Sequence, residues 1–192
     1  MRPVRMLFVS IGTDHHPFPR LLRWVGDWAA EHPDWEVQVQ HGRSPAPPYG
    51  TAFAFCDHDR LQELLEQADA VVTHGGPATI TEARRYGHVP IVVPRDPRLG
   101  EHVDAHQQLF ARRLAAAGLI RLATGEAELR IALDGEAGAP TSQQDRARRA
   151  ADRQVPPGVH AVGRVIEDLA RGKAPSAPAP VKFWARRSRA QR

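Results

Sequence analysis

The sequence contains a single cysteine, Cys56, among its 192 residues. An internal disulfide is therefore excluded, as is typical of proteins from a reducing compartment. Cys56 follows the apolar run 52–55, which favours a buried thiol at a strand end over a nucleophile. The chain also lacks any stretch approaching the roughly 20 apolar residues that a membrane helix needs. Residues 1–3 lead directly into a strand-like segment, so we expect no signal peptide.

An excess of positive charge is missing from most of the chain. Residues 1–140 hold 14 Lys/Arg against 18 Asp/Glu, whereas residues 141–192 hold 12 against 4. The sequence pI near 10.0 therefore describes a basic tail on a mildly acidic body. It gives little support to nucleic-acid binding, for which the sequence carries no recognisable motif. We expect no nucleic-acid partner.

Apolar segments of two periodicities alternate along the body of the chain. Strand-like runs are separated by segments with helical spacing, a pattern that predicts an α/β domain built on one doubly wound, Rossmann-like parallel sheet. Predicted strands cover 4–11, 35–40, 53–55, 70–73, 90–94 and 119–122, and predicted helices cover 21–28, 57–67, 78–86, 104–117 and 126–133.

The composition changes at Gly135, after which Ala, Gly, Pro, Gln and Arg dominate. We therefore expect a nucleotide-binding domain at 1–135 and a linker with a C-terminal helix at 136–172. An apolar stripe predicts this helix: Val159, Val162, Ile166 and Leu169. Residues 173–192 read as a Pro-rich, basic, disordered tail. Its mixture of aromatic and Arg residues also suits an anionic membrane surface or an acidic partner.

The most informative motif joins a strand to a helix through a glycine turn. The strand 70–73 is followed by His74, Gly75 and Gly76, and Glu82 lies at helical spacing beyond them. Glycines without a Cβ let backbone amides approach a ligand, and a helix N-terminus favours an anion. This layout is typical of a nucleotide site at the carboxyl edge of a parallel sheet.

These residues belong to an ordered set that resembles a known family. The set runs through residues 5–120 and comprises Gly12-Thr13, Pro17-Phe18, Thr73-His74-Gly75-Gly76, Glu82-Ala83, Gly87, Pro90, Pro94 and His102-x-Asp104-x-His106-Gln107. It resembles the donor-binding half of inverting GT-B glycosyltransferases of family 28, which include the peptidoglycan transferase that makes lipid II. The segment 8–18 is similar to the opening of the small catalytic subunit of two-component enzymes in exopolysaccharide synthesis.

The resemblance implies half of a GT-B fold and an enzyme that transfers a hexose-type sugar from a UDP-sugar to a lipid-linked acceptor. It implies a membrane-anchored, acceptor-binding partner subunit, without which the chain should be nearly inactive. It further implies a peripheral location at the cytoplasmic face of the cell membrane, with no cofactor and no metal. The alternative is a non-catalytic nucleotide-binding or scaffold subunit that stabilises a partner transferase.

The resemblance assigns the nucleotide diphosphate to the following residues: Gly12, Thr13, His74, Gly75, Gly76, Ala78, Thr79 and Arg95. From the residues alone, Gly12-Thr13 reads equally as an ordinary strand-to-helix turn. Arg95 follows the 90–94 strand, where an arginine can neutralise a diphosphate or remain solvated.

Glu82 has two interpretations. On an exposed helix face it would support Arg85 or Tyr86. As a ligand residue, its carboxylate would accept hydrogen bonds from the two ribose hydroxyls of a nucleotide, which are charge-assisted contacts. Its position one turn beyond the glycines matches the ribose-binding glutamate of the family, and we favour that role.

The polar cluster that follows the 90–94 strand admits three interpretations. Asp104, His106 and Gln107 could hydrogen-bond the hydroxyls of the donor sugar, which is the role we favour. Asp104 could instead cap the next helix. His102 and His106, spaced four residues apart, could bind a metal, which we rank third.

His15 and His16 are the only candidates for catalytic residues. An imidazole titrates near neutral pH and could act as a base or contact a pyrophosphate leaving group. On residue type alone, a solvated loop explains both residues better. In GT-B enzymes the base usually belongs to the acceptor half, so we expect it on the partner.

Overall fold

Six short apolar segments form one fully parallel sheet at the centre of the fold. The computed structural model describes residues 4–138 together with Val162, Gly163 and Ile166. The strands are β1 (Arg5–Ser10), β2 (Trp35–Gln40), β3 (Thr51–Phe53), β4 (Ala70–Thr73), β5 (Ile91–Val92) and β6 (Arg121–Leu122). The helices are α1 (Pro19–Glu31), α2 (His58–Gln67), α3 (Pro77–Arg85), α4 (His106–Ala116) and α5 (Glu126–Gly138).

The strand order β3-β2-β1-β4-β5-β6 shows that the chain winds in two directions from the middle of the sheet. Strand β1 pairs with β2 on one side and with β4 on the other, both in parallel. The connections that leave β1 and β4 therefore diverge at the carboxyl edge of the sheet. Such a switch point is where open α/β sheets bind their ligands.

Helices cover both faces of the sheet, which explains why β1 is almost wholly apolar. Leu7 and Val9 of β1 face a core that also contains the apolar sides of α1 and α5. Met6 and Phe8 face the opposite way, against Leu64 and other residues of α2 and α3. A third cluster forms between β5 and α4. Successive side chains of β1 therefore point alternately to the two faces of the sheet, and both faces are buried.

Local sequence signals explain several helix starts. Asp57 caps α2, as its position predicts, and accepts a hydrogen bond from the backbone N–H of Arg60 at 2.8 Å. Pro19 occupies the first turn of α1, where a missing N–H costs nothing. Helix α4 begins at His106 rather than at 104, because the segment before it forms an Asp104 turn.

The predicted fold class is confirmed, and the boundaries of individual elements differ. Strand β3 covers Thr51–Phe53 rather than 53–55, and β6 begins two residues later than expected. Helix α5 continues past Gly135 to Gly138. Its last turn is held by Arg5, which donates hydrogen bonds to the carbonyl oxygens of Glu136 and Ala137 at 2.7 Å each.

The predicted C-terminal helix is only partly described. Val162 is helical and fully buried in the cluster that contains Ile80, Val92 and Phe110. Ile166 is also helical, with its side chain 40% exposed. The remaining stripe residues, the linker and the basic tail lie outside the described residues. No helix among the described residues is long and apolar enough to cross a membrane.

Candidate nucleotide-sugar site

A cleft of about 580 Å³ lies at the carboxyl edge of the sheet, where the chain leaves β1, β2, β3 and β4. Most of the predicted diphosphate residues, the predicted ribose residue and one predicted sugar residue lie along it. Its full lining is Gly12, Thr13, Asp14, Gln40, Cys56, Asp57, His58, Leu61, His74, Gly76, Pro77, Ala78, Thr79, Glu82 and Gln107.

Helix α3 points its N-terminus into this cleft. Gly76 is the N-cap residue and Pro77 follows it, and no described side chain caps this end of the helix. The first N–H groups of a helix have no acceptor within it, so those of Ala78 and Thr79 remain available. Both residues line the cleft. The helix dipole adds a partial positive charge here, so this end of the cleft suits an anion such as a phosphate.

The imidazole of His74 is wedged between two glycines. A Cβ placed on Gly12 or on Gly76 would overlap the His74 ring, and Gly12 also has a φ of +76°. Burial, together with the nearby Arg95 guanidinium, lowers the pKa of His74 to about 4. His74 is therefore neutral at physiological pH and can donate a hydrogen bond from one ring nitrogen while accepting at the other.

Glu82 lines the cleft, and one of its carboxylate oxygens lacks a hydrogen bond from the described residues. Oε1 accepts a hydrogen bond from Nη1 of Arg85 at 2.9 Å, which is the supporting contact that a helix-surface role predicts. The other oxygen, Oε2, is buried and has no hydrogen-bond partner among the residues that the structure describes. A buried, unpaired carboxylate oxygen is costly unless a ligand completes it. Its surroundings fit a hydrogen-bond donor such as a sugar hydroxyl.

Gln107 is the member of the polar cluster that reaches the cleft. Gly75 packs against it, since a Cβ on Gly75 would lie 2.8 Å from Cβ of Gln107. Asp104 and His106 lie outside the cleft lining. Asp104 accepts a hydrogen bond from the backbone N–H of His106 at 2.9 Å and so forms a turn just before α4. The N-cap residue of α4 is Ala105, without a side-chain cap, so the prediction that Asp104 caps this helix is wrong.

Arg95 lies elsewhere than the sequence predicts. Its side chain is fully buried beneath the loops and does not line the cleft. Nη1 donates to the carbonyl oxygens of His16 and Glu101 at 2.7 and 3.0 Å, and Nη2 donates to that of Ile11 at 2.8 Å. Here Arg95 joins the loops that follow β1 and β5. Contact with a diphosphate would require these bonds to break.

Sequence comparison agrees with this geometry. Residues 27–159 match the family model described as the glycosyltransferase family 28 C-terminal domain. The chain belongs to this family. No curated protein matches the sequence.

Solved structures with the same fold are glycosyltransferases. The calicheamicin glycosyltransferase CalG4 shares 22% identity with a TM-score of 0.56, over 88% of this chain and 43% of that enzyme. The glycotransferase of kitacinnamycin gives 23% and 0.57, again over 88% and 43%. MurG from Acinetobacter baumannii gives 18% and 0.51, over 86% and 50%. The family 28 chain thus spans half or less of each of these proteins.

One wall of the cleft in this family 28 domain was missed from the sequence. It consists of Gln40 at the end of β2 and the segment 56–61 before and within α2. The sequence did offer one indication of this wall. Asp57 begins a predicted helix directly after a predicted strand, and such a position lies at the carboxyl edge of a parallel sheet. The sequence does not reveal the strand order, which places the carboxyl ends of β2 and β3 beside that of β1.

His15 and His16 lie beside the cleft rather than in its lining. Nδ1 of His16 is 2.7 Å from Oδ1 of Asp14, and the His16 backbone N–H donates to the same oxygen at 2.7 Å. Burial alone would raise the pKa of Asp14, but the two hydrogen bonds from His16 outweigh it and the pKa falls below its ordinary value. Asp14 is therefore a fixed negative charge at the mouth of the cleft.

Proposed function

We propose that this chain is the donor-binding, catalytic subunit of a two-component inverting glycosyltransferase. The donor is a UDP-sugar of the hexose type, and the acceptor is a lipid-linked sugar in polysaccharide or glycolipid synthesis. A membrane-anchored partner supplies the acceptor site and the general base, and it holds the chain at the inner face of the membrane. Membership of the glycosyltransferase family 28 C-terminal domain supports the donor-binding part of this proposal.

The observation that carries the proposal is the unpaired Oε2 of Glu82 in the same cleft as the N-terminus of α3. An acceptor for hydroxyl groups and a row of free amides are the two features that a nucleoside diphosphate requires. In the proposed complex, Glu82 accepts from the ribose hydroxyls. The diphosphate lies on Gly12, Thr13 and the amides of 78–79.

The donor sugar extends from the diphosphate towards Gln107, which lies between the glycine turn and the loop after β5. The helix dipole and the backbone amides stabilise the negative charge that develops on the departing UDP. Asp104 and His106 reach the sugar only if the turn before α4 moves, because both side chains now bond to each other outside the cleft.

Calorimetric titration of UDP into Glu82→Gln tests this assignment. The amide nitrogen cannot accept a hydrogen bond, so we expect UDP affinity to fall by about tenfold or more. Glu63→Gln is the matched control, because Glu63 also pairs with an arginine three residues away, Arg60, on a neighbouring helix outside the cleft lining. Equal UDP affinity in both variants would remove the ribose assignment.

A further inference from the structure

Imidazoles and carboxylates from two loops meet at the mouth of the cleft. Asp14, His15 and His16 follow Thr13 in the connection between β1 and α1. His102 belongs to the connection that leads into α4, 86 residues further along the chain than His16. The proposed function uses none of these side chains.

The potential ligand atoms of this cluster are close together. Nδ1 of His16 lies 2.7 Å and Nδ1 of His15 lies 3.8 Å from Oδ1 of Asp14. One ligand atom from each of these three residues lies within 4.8 Å of the other two. On the other side of the carboxylate, Nε2 of His102 is 3.7 Å from Oδ2 of Asp14.

We propose that Asp14, His15 and His16 bind a zinc-class transition-metal ion at the mouth of the cleft, with His102 as the fourth protein ligand. Imidazole nitrogens with a carboxylate are the donor set that Zn²⁺ accepts, at about 2.0–2.2 Å. Mg²⁺ and Ca²⁺ prefer sites in which every ligand is an oxygen atom, so a site with three imidazole nitrogens disfavours them. Because the His15 side chain is 78% exposed, it can close on an ion without disturbing the core.

A second layer of contacts orients His102. Its Nδ1 lies 3.2 Å from the carbonyl oxygen of Asp104 and 3.4 Å from its carboxylate. In the structure the backbone N–H of Asp104 also donates to this Nδ1, at 3.3 Å. In the ion-bound form, donation from Nδ1 to the carbonyl oxygen would replace that bond and leave the lone pair of Nε2 free for the ion. Such carboxylate or carbonyl partners are the usual supports of a metal-bound histidine.

The charges around the cluster partly oppose one another. The Arg95 guanidinium contacts the carbonyl oxygen of His16 from below and repels a cation. The carboxylates of Asp14 and Asp104 outweigh it, so the cluster with neutral imidazoles carries a net negative charge. Arg95 also fixes the backbone of this loop, which reduces the freedom that its ligands lose on binding an ion.

The ion would lie beside the proposed diphosphate position, and this link between the two sites rests on the proposed function. Asp14 lines the cleft next to Gly12 and Thr13, where the diphosphate is placed. A divalent ion there would attract a bound diphosphate, while the helix dipole and the backbone amides still stabilise the departing UDP. The two ligands would then bind cooperatively, each raising the affinity for the other by the same factor.

Calorimetric titration of the EDTA-treated, dialysed chain with ZnCl₂ and with MgCl₂ tests the site. We expect one Zn²⁺ per chain and no Mg²⁺ binding of comparable strength. The exposed His15→Ala change and the double change His15→Ala with His16→Ala should weaken Zn²⁺ binding by tenfold or more. Circular dichroism melting of His15→Ala should match that of the unaltered chain.

A matched control lies at the opposite edge of the sheet. His32 also faces a carboxylate, with Nε2 3.6 Å from Oδ1 of Asp134, but among the residues that the structure describes no second imidazole joins that pair. His32→Asn should leave Zn²⁺ binding unchanged. No Zn²⁺ binding, or equal loss in His32→Asn and His15→Ala, would overturn the proposal.

The visible spectrum of Co²⁺ reports on the ligands directly. Tetrahedral binding by imidazole and carboxylate should give an intense d–d band that the double variant loses, and an unchanged band in that variant would overturn the site. UDP binding measured in EDTA keeps the two proposals apart. Zn²⁺ binding without UDP binding removes only the proposed function, and UDP binding without Zn²⁺ binding removes only the metal site.

Discussion

Nη2 of Arg95 donates a 2.8 Å hydrogen bond to the carbonyl oxygen of Ile11, 84 residues earlier in the chain. Through its other terminal nitrogen, the same guanidinium reaches the carbonyl oxygens of His16 and Glu101. The loops that follow β1 and β5 are therefore joined by one buried cation. The first loop lines the cleft through Thr13 and Asp14, and the second leads into α4, which contributes Gln107. The shape of the proposed binding site therefore depends on Arg95.

Replacing Arg95 should destabilise the protein strongly. Arg95→Met leaves three carbonyl oxygens without their donor, and we expect the free energy of unfolding to fall by about 3 kcal/mol or more. Urea denaturation measures this change. Arg98→Met is the control, because Arg98 pairs with Asp96 at the surface with its side chain 84% exposed. It should have no measurable effect. Similar losses in both variants would contradict the joining role.

Arg95 also shows where sequence interpretation stops. Its position after a predicted strand correctly placed it at the carboxyl edge of the sheet, where a phosphate contact was expected. The side chain instead turns inward, because three backbone carbonyls from distant segments converge beneath it. The residues next to Arg95 in the sequence do not indicate that these carbonyl oxygens lie within its reach. Only the assembled loops determine whether this arginine faces solvent, ligand or the interior.

Gly76 should be sensitive to a single methyl group. A Cβ at this position overlaps the His74 ring, which is already in close contact with Gly12 on its other side. We expect Gly76→Ala to cost about 1–3 kcal/mol of stability and to weaken UDP binding, since the turn above α3 must shift. Thermal melting and calorimetric titration with UDP measure the two effects.

Gly135→Ala provides the comparison for this change. Gly135 lies inside α5, where the nearest atom to an added Cβ is 4.0 Å away, on Arg121. Alanine there should stabilise the helix by up to about 1 kcal/mol and leave UDP affinity unchanged. A Gly76→Ala protein that melts and binds UDP like Gly135→Ala would refute the close-packing argument.

His74 should make the protein sensitive to mild acid. Its pKa is about 4 when folded against an ordinary 6.5, so between these values the unfolded chain binds the extra proton. The free energy of unfolding should therefore fall as the pH drops from about 6.5 to about 4, by up to about 3 kcal/mol from this group. In His74→Gln this part of the pH dependence should disappear. Urea denaturation at pH 7 and pH 4.5 tests the difference, and parallel losses in both proteins would exclude His74 as the cause.

Sugar transfer should require a second subunit. The proposed function places the acceptor site and the general base on a partner. We expect negligible transfer from UDP-sugars by the purified chain and turnover once the membrane subunit is added. Glu82→Gln and Gln107→Ala should lose turnover while still assembling with that subunit. Robust transfer by the chain alone would contradict partner dependence, and full turnover in both variants would favour a scaffold role.

The sheet and the glycine turn were accessible from sequence for a physical reason. Parallel strands buried on both faces give continuous apolar runs, and a glycine turn before a helix marks the carboxyl edge of the sheet. The sequence therefore correctly placed three neighbouring residues at the cleft: His74, Gly76 and Glu82. Gln40 and Cys56 did not, since their place depends on the strand order. The side chain of Asp104 bonds to the backbone N–H of His106 rather than facing the cleft, and the composition of the segment does not indicate this turn.

The most direct test of the account is a calorimetric comparison of UDP with GDP, TDP and ADP on the purified chain. Each ligand offers the same diphosphate to the N-terminus of α3, so the comparison isolates recognition of the nucleoside. We predict that UDP binds more tightly than the other three and that Glu82→Gln weakens its binding. Equal affinities for all four ligands, or no binding of UDP, would contradict the assignment of this cleft to a UDP-sugar.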